Sequence, residues 1–161
     1  MRKLPFPPCA TVEALGDRVV VPGERVGSVR IGMTYGDVRV LLGTGDCVSC
    51  QSLAFVRYRE VGLELAVTTP AGQLVTPSSC VTAISVHGDL ECSGPVRLGA
   101  RREEIADALG APMIVGQRAL YAGGASVHFD EHGCAITFTV VSPLAPSLFP
   151  RPYLRPWHAT S

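Results

Sequence analysis

The sequence predicts an α+β fold of two tandem copies of a small unit, each a helix followed by a three-stranded antiparallel meander, with the helices packed on one sheet face. Three observations lead there. The stretch "VRIGMTYGDVRVLLG" (29–43) returns 67 positions later as "VRLGARREEIADALG" (96–110). After each stretch the apolar period changes from 3.6 to 2, which marks a helix giving way to strands. The copies also close alike, with "CVTAISV" opened by Cys80 and "CAITFTV" opened by Cys134. The chain divides accordingly into a proline-containing N-terminal segment (1–28), a first repeat (29–90), a second repeat (91–141) and a tail rich in proline, aromatics and arginine (142–161).

In the first copy Thr34 stands as an N-cap with Asp37 three residues on, a weaker form of the capping box. Tyr35, Val38, Leu41 and Leu42 then share one helical face, and Gly43 ends the helix. In the second copy Ile105, Ala108 and Leu109 hold that face, Glu103 and Glu104 suit the first-turn dipole, and Gly110 stops the helix before Pro112. Arg101 replaces Thr34, so the second cap is poorer. "LAFVRY", "VGLELAVT" and "CVTAISVH" read as the strands of copy one, and "RALYA", "ASVHFD" and "CAITFTVV" as those of copy two. "DEHG" (130–133) is a hairpin turn, whereas copy one carries "TTPAGQLVTPSS" (68–79), expected to project as an extended loop.

Alternation assigns the faces. Cys80, Thr82, Ile84, Val86, Cys134, Ile136, Phe138 and Val140 are expected to point inward, making both cysteines core thiols. The opposite face gathers Val81, Ala83, Ser85, His87, Ala135, Thr137, Thr139, Val141, Glu64, Ala66, Ser126 and His128. A freely solvated sheet carries more Lys, Glu and Arg than this, so something is expected to lie across it.

Composition narrows the function. The chain has 161 residues, is 47% hydrophobic and has zero formal net charge, with only 17% charged residues. That balance supports a real core and disfavours nucleic acid or an anionic membrane as partner. No window nears the roughly 18 apolar residues of a membrane span. The opening "MRKLPFPPCATVEALGDR" has no apolar run behind its charges, which reads as a chain that stays in the cytoplasm. Asn is absent and Lys3 is the single lysine, a pattern of GC-rich, bacterial coding. Six cysteines in such a compartment are expected to be reduced thiols.

The G-M-T-x-x-x-V-x-x-L-G pattern resembles the repeat shared by the SmpA/OmlA-type lipoproteins of outer-membrane barrel assembly and by the tandem-repeat β-lactamase inhibitory protein. Copy one carries it through Gly32, Met33, Thr34, Val38, Leu42 and Gly43, and copy two through Gly99, Ile105, Leu109 and Gly110. The resemblance implies a non-enzymatic, protein-binding module that docks through a sheet face. Members of both families are exported. A cytoplasmic inhibitor or immunity-type protein reconciles the pattern with this chain.

Chemical motifs are few. "CVSC" (47–50) has the spacing of a zinc half-site, and Cys92 offers a third thiolate, yet neither a second CxxC nor a His pair completes it. Structural zinc on Cys47, Cys50 and Cys92 is thus the lesser alternative to loop thiols, and no cofactor is expected. His87, His128, His132 and His158 lack partners at catalytic spacing, so no enzyme activity is expected. The tail "FPRPYLRPWH" sets Phe149, Tyr153 and Trp157 four residues apart with Arg151 and Arg155 between them, and its prolines forbid a regular helix. Trp, Tyr and Arg dominate binding hot spots. Either the tail folds back and its aromatics cover the outer sheet face, or it is a partner-docking arm; in the docking reading the partner-binding residues are Phe149, Arg151, Tyr153, Arg155 and Trp157, with His87 and His128 on the sheet face. The other class of reading is a permanently buried accessory subunit of a larger assembly, in which low charge and apolar arms reflect constitutive burial.

Overall fold

The computed structural model describes residues 6–50, 53–69, 74–88 and 90–143. Within them a 3₁₀ turn (Val12–Leu15) and three two-residue strands, β1 (Val20–Val21), β2 (Arg25–Val26) and β3 (Val29–Arg30), precede helix α1 (Tyr35–Leu42). Four strands follow: β4 (Asp46–Cys50), β5 (Leu53–Tyr58), β6 (Leu63–Thr68) and β7 (Val81–Val86). Helix α2 (Arg102–Leu109) is followed by β8 (Met113–Val115), β9 (Arg118–Tyr121), β10 (Ala125–Phe129) and β11 (Ala135–Val141). No described helix is long and apolar enough to cross a membrane.

This corrects the expected α+β class of two helix-plus-three-strand units with helices layered on a sheet. The fold is mostly β: all eight later strands form one antiparallel sheet in the order β4-β5-β6-β7-β11-β10-β9-β8, and β1 to β3 form a second, small sheet. Each helix has only eight residues and precedes four strands rather than three. Neither builds a layer, since α1 buries Tyr35, Val38 and Leu42 and α2 buries Ile105 alone. The two unforeseen strands are the sheet's edges. From Asp46 to Ser49 every residue of β4 is exposed, and β8 is three residues long, so backbone pairing with β5 and β9 holds them without any buried apolar stripe.

Local signals at the helix starts act as their chemistry dictates. Thr34 Oγ1 accepts the Asp37 N–H at 3.2 Å, whereas Arg101 makes no side-chain cap. The return arm of the 68–79 loop does not project: the Ser79 and Pro77 carbonyls accept the N–H groups of Tyr35 and Gly36 at 2.7 and 2.9 Å, tying it to the start of α1. The second turn is held by Asp130, whose carboxylate accepts the His132 and Cys134 N–H groups, both at 2.9 Å.

One buried cluster unites the inner sheet face with the N-terminal segment, from Leu15, Val26 and Val29 to Leu65, Ile84, Phe129 and Phe138. Gly124 shows how closely the parts meet. Its φ is +101°, and a Cβ there would lie 2.3 Å from the Val141 carbonyl oxygen and 2.7 Å from Gly23 Cα, so only glycine fits. Gly23 N–H donates to the Gly124 carbonyl at 3.1 Å, fastening the small sheet to the second meander.

Candidate functional site

Two β-bulges decide which side chains each face presents. On β7 the register with β6 passes from Ala66↔Ala83 to Val67↔Val81, leaving Thr82 as the extra residue; on β11 it passes from His128↔Thr137 to Phe129↔Ala135, leaving Ile136 extra. An extra residue reverses the alternation on one side of it. Val81 and Ala135 therefore turn inward and are buried, while Ile136 is 45% exposed. Cys80 and Cys134 fall outside the buried core, half-exposed, against the expectation of core thiols. Ile84, Val86, Phe138 and Val140, beyond the bulges, are buried.

The outer face consists of rows running across the strands. An apolar row joins Val48, Phe55, Ala66, Ala83 and Val141 through successive register partners. The next begins with Asp46, Arg57 and Glu64, continues through Ser85, Thr139 and Ser126, and ends at Leu120 and Met113. Its charges are largely spent internally, because Arg57 Nε donates to Glu64 Oε2 at 2.6 Å. At the centre the Ser85 and Thr139 hydroxyls hydrogen-bond at 2.9 Å across the junction of the two meanders. A third row carries Thr137, His128, Arg118 and Val115.

His128 pairs with Thr137 on β11, while His87 lies one residue past the end of β7, its N–H donating to the Gly62 carbonyl at 3.0 Å. The five expected tail residues, Phe149, Arg151, Tyr153, Arg155 and Trp157, lie outside the described residues.

Among the described residues no group of three or more His, Cys, Asp or Glu side chains gathers around a common point. Cys47 stands on the extended strand β4, with its Sγ 3.8 Å from the Tyr35 hydroxyl. Cys92 sits in the segment between the meanders, where burial pushes its thiol up to about 11. Cys47 pairs with Val56 in the regular β4–β5 register.

The titrating groups that are perturbed are structural. Burial raises Tyr35 to about 12, with the Cys47 thiol adding to it, and burial raises Tyr121 to about 12 against the pull of Arg102. Tyr58 is raised further, again chiefly by burial, and its hydroxyl donates to the Gly43 carbonyl at 2.9 Å. Asp130 is held low by the Cys134 N–H first of all, and Asp17 by its hydrogen bond from Arg25. A groove of about 710 Å³ runs between the inter-meander segment and β11, lined by Leu90, Cys92, Arg97, Leu98 and Ile136, and its Arg97 is paired with Glu104 at 3.2 Å. Sequence alternation missed this groove because it put Ile136 in the core.

Comparison with known protein families, with curated proteins and with solved structures returns no match to this chain.

Proposed function

We propose that the chain is a non-catalytic protein-binding module, an inhibitor or immunity-type protein of the cytoplasm, that holds one partner protein against its outer sheet face. The observation that carries this reading is the composition of that face. Its central rows offer small and hydroxyl side chains, with Arg57 and Glu64 neutralising each other, so a partner can be seated without desolvating isolated charges. The apolar row from Val48 to Val141 supplies contact area, and the tail with Phe149, Tyr153 and Trp157 supplies the aromatic anchors that hot spots use. Five free thiols among the described residues suit a reducing compartment. The likeness of the 29–43 and 96–110 stretches to the repeat of a known inhibitor points the same way.

The exposure of Val40, Val48 and Leu74, at 60%, 51% and 76%, favours the second reading, a permanently buried accessory subunit. Capture from the native cell separates the two. The full chain used as bait should return one dominant partner, and the purified chain should stay in solution without it. Return of a many-component assembly, together with aggregation of the isolated chain, supports the subunit reading instead. If neither partner nor assembly is captured, both are refuted.

A further inference from the structure

We propose that β4 is an association edge, on which β4 of a second copy of this chain pairs antiparallel so that the two eight-stranded sheets become one. The two edges of the sheet differ. β8 has three residues, follows Pro112 and is closed by Gly116 at φ +62°, a short edge of the kind that resists further pairing. β4 has five residues, an unbroken register with β5, and neither Lys, Pro nor bulge. Among the described residues its only strand neighbour is β5. Such a strand presents a row of open N–H and C=O groups that template another strand.

The occupant follows from the residues at that edge. The apolar row of the outer face runs from Val141 through Ala83, Ala66 and Phe55 and ends at Val48, which is 51% exposed at the margin. An antiparallel pair centred on Val48 sets the two valines directly opposite on the same face, and each copy's row continues into the other's. The edge carries one charge, Asp46. Two-fold pairing puts the two Asp46 carboxylates at opposite ends of the joined strands, roughly 13 Å apart along them, beyond the Debye length of about 8 Å. Zero net charge removes long-range repulsion between copies. The chain already contains one union of this type, since β7 and β11 join its two meanders antiparallel through Ala83↔Val141 and Val86↔Phe138.

Sedimentation of the full chain over a wide concentration range tests this. The mass should rise from 17.0 kDa towards twice that value. Val48→Lys, a change at an exposed site, should weaken association about tenfold or more, the equivalent of 1.4 kcal/mol, with the melting curve retained. Val115→Lys on β8 should leave association as it was. A single-chain mass throughout, association indifferent to Val48→Lys, or equal loss in Val115→Lys overturns the proposal. So does loss of association when Phe149, Tyr153 and Trp157 are replaced together by Ala, because the tail would then be the contact.

Discussion

Ile84 and Ile136 occupy apolar positions of β7 and β11 that a regular alternation would treat alike, yet Ile84 is fully buried and Ile136 is 45% exposed beside its bulge. Replacing each with alanine tests the bulges directly. The change removes three carbons, worth about 2.4 kcal/mol at roughly 0.8 kcal/mol each when all leave a dry interior. At Ile84 the surrounding core cannot close fully, so a cavity term adds to this and the cost should reach about 3 kcal/mol or more. At Ile136 nearly half of the side chain is already in water and no sealed cavity forms, so the cost should stay near 1 kcal/mol. Urea unfolding read by circular dichroism, with the slope checked for constancy, gives both numbers. In thermal melts the difference corresponds to roughly 4–8 °C. Equal losses at the two sites would refute the bulge at Ile136 and with it the assignment of the outer face.

Four further predictions rest on single sites. Tyr58→Phe leaves the buried Gly43 carbonyl without its donor and should cost about 1–3 kcal/mol, whereas Tyr121→Phe, whose hydroxyl has no hydrogen-bond partner among the described residues, should be nearly neutral in the same unfolding assay. Gly124→Ala combines a φ of +101° with a 2.3 Å approach to the Val141 oxygen and should destabilise more than Gly116→Ala, where φ is +62° and no atom lies within 4 Å, as paired melting temperatures will show. Tyr35 and Tyr121 are raised from 10.0 to about 12 and Cys92 from 9.0 to about 11, so the folded chain keeps protons that the unfolded chain sheds. Their stabilisation is whole below pH 9 and is lost as pH rises towards 12, and melts across that window should fall monotonically. In thiol labelling of the native chain the exposed Cys47 should react well before Cys92, whose burial and raised pKa both slow it, and the reverse order would contradict the placement of Cys92.

What could be read from the sequence depended on whether a segment signals by burial or by pairing alone. Thr34, Gly43 and the Asp130 turn act through bonds between near neighbours, and such bonds are visible in residue order. The six inner strands carry alternating apolar residues, so their existence was legible as well. β4 was not, because "DCVSC" buries none of its described side chains and owes its form to five backbone partners on β5. The class of the fold was misjudged for that reason. The face assignment failed at Cys80 and Cys134 because a single extra residue, Thr82 or Ile136, reverses an alternation that no local composition announces. The junction of Ser85 with Thr139 depends on pairing between distant segments, so the sequence could place both residues on one face but not side by side.

Thr139 lies at the middle of the outer face, hydrogen-bonded to Ser85 where the two meanders join. Calorimetric titration of the captured partner into the wild-type chain and into Thr139→Arg shows whether this face seats the partner. The arginine, projecting from the centre of the face, should weaken binding about a hundredfold, or 2.8 kcal/mol, while the melting temperature moves by only a few degrees. Unchanged affinity in a folded Thr139→Arg chain would contradict that seating.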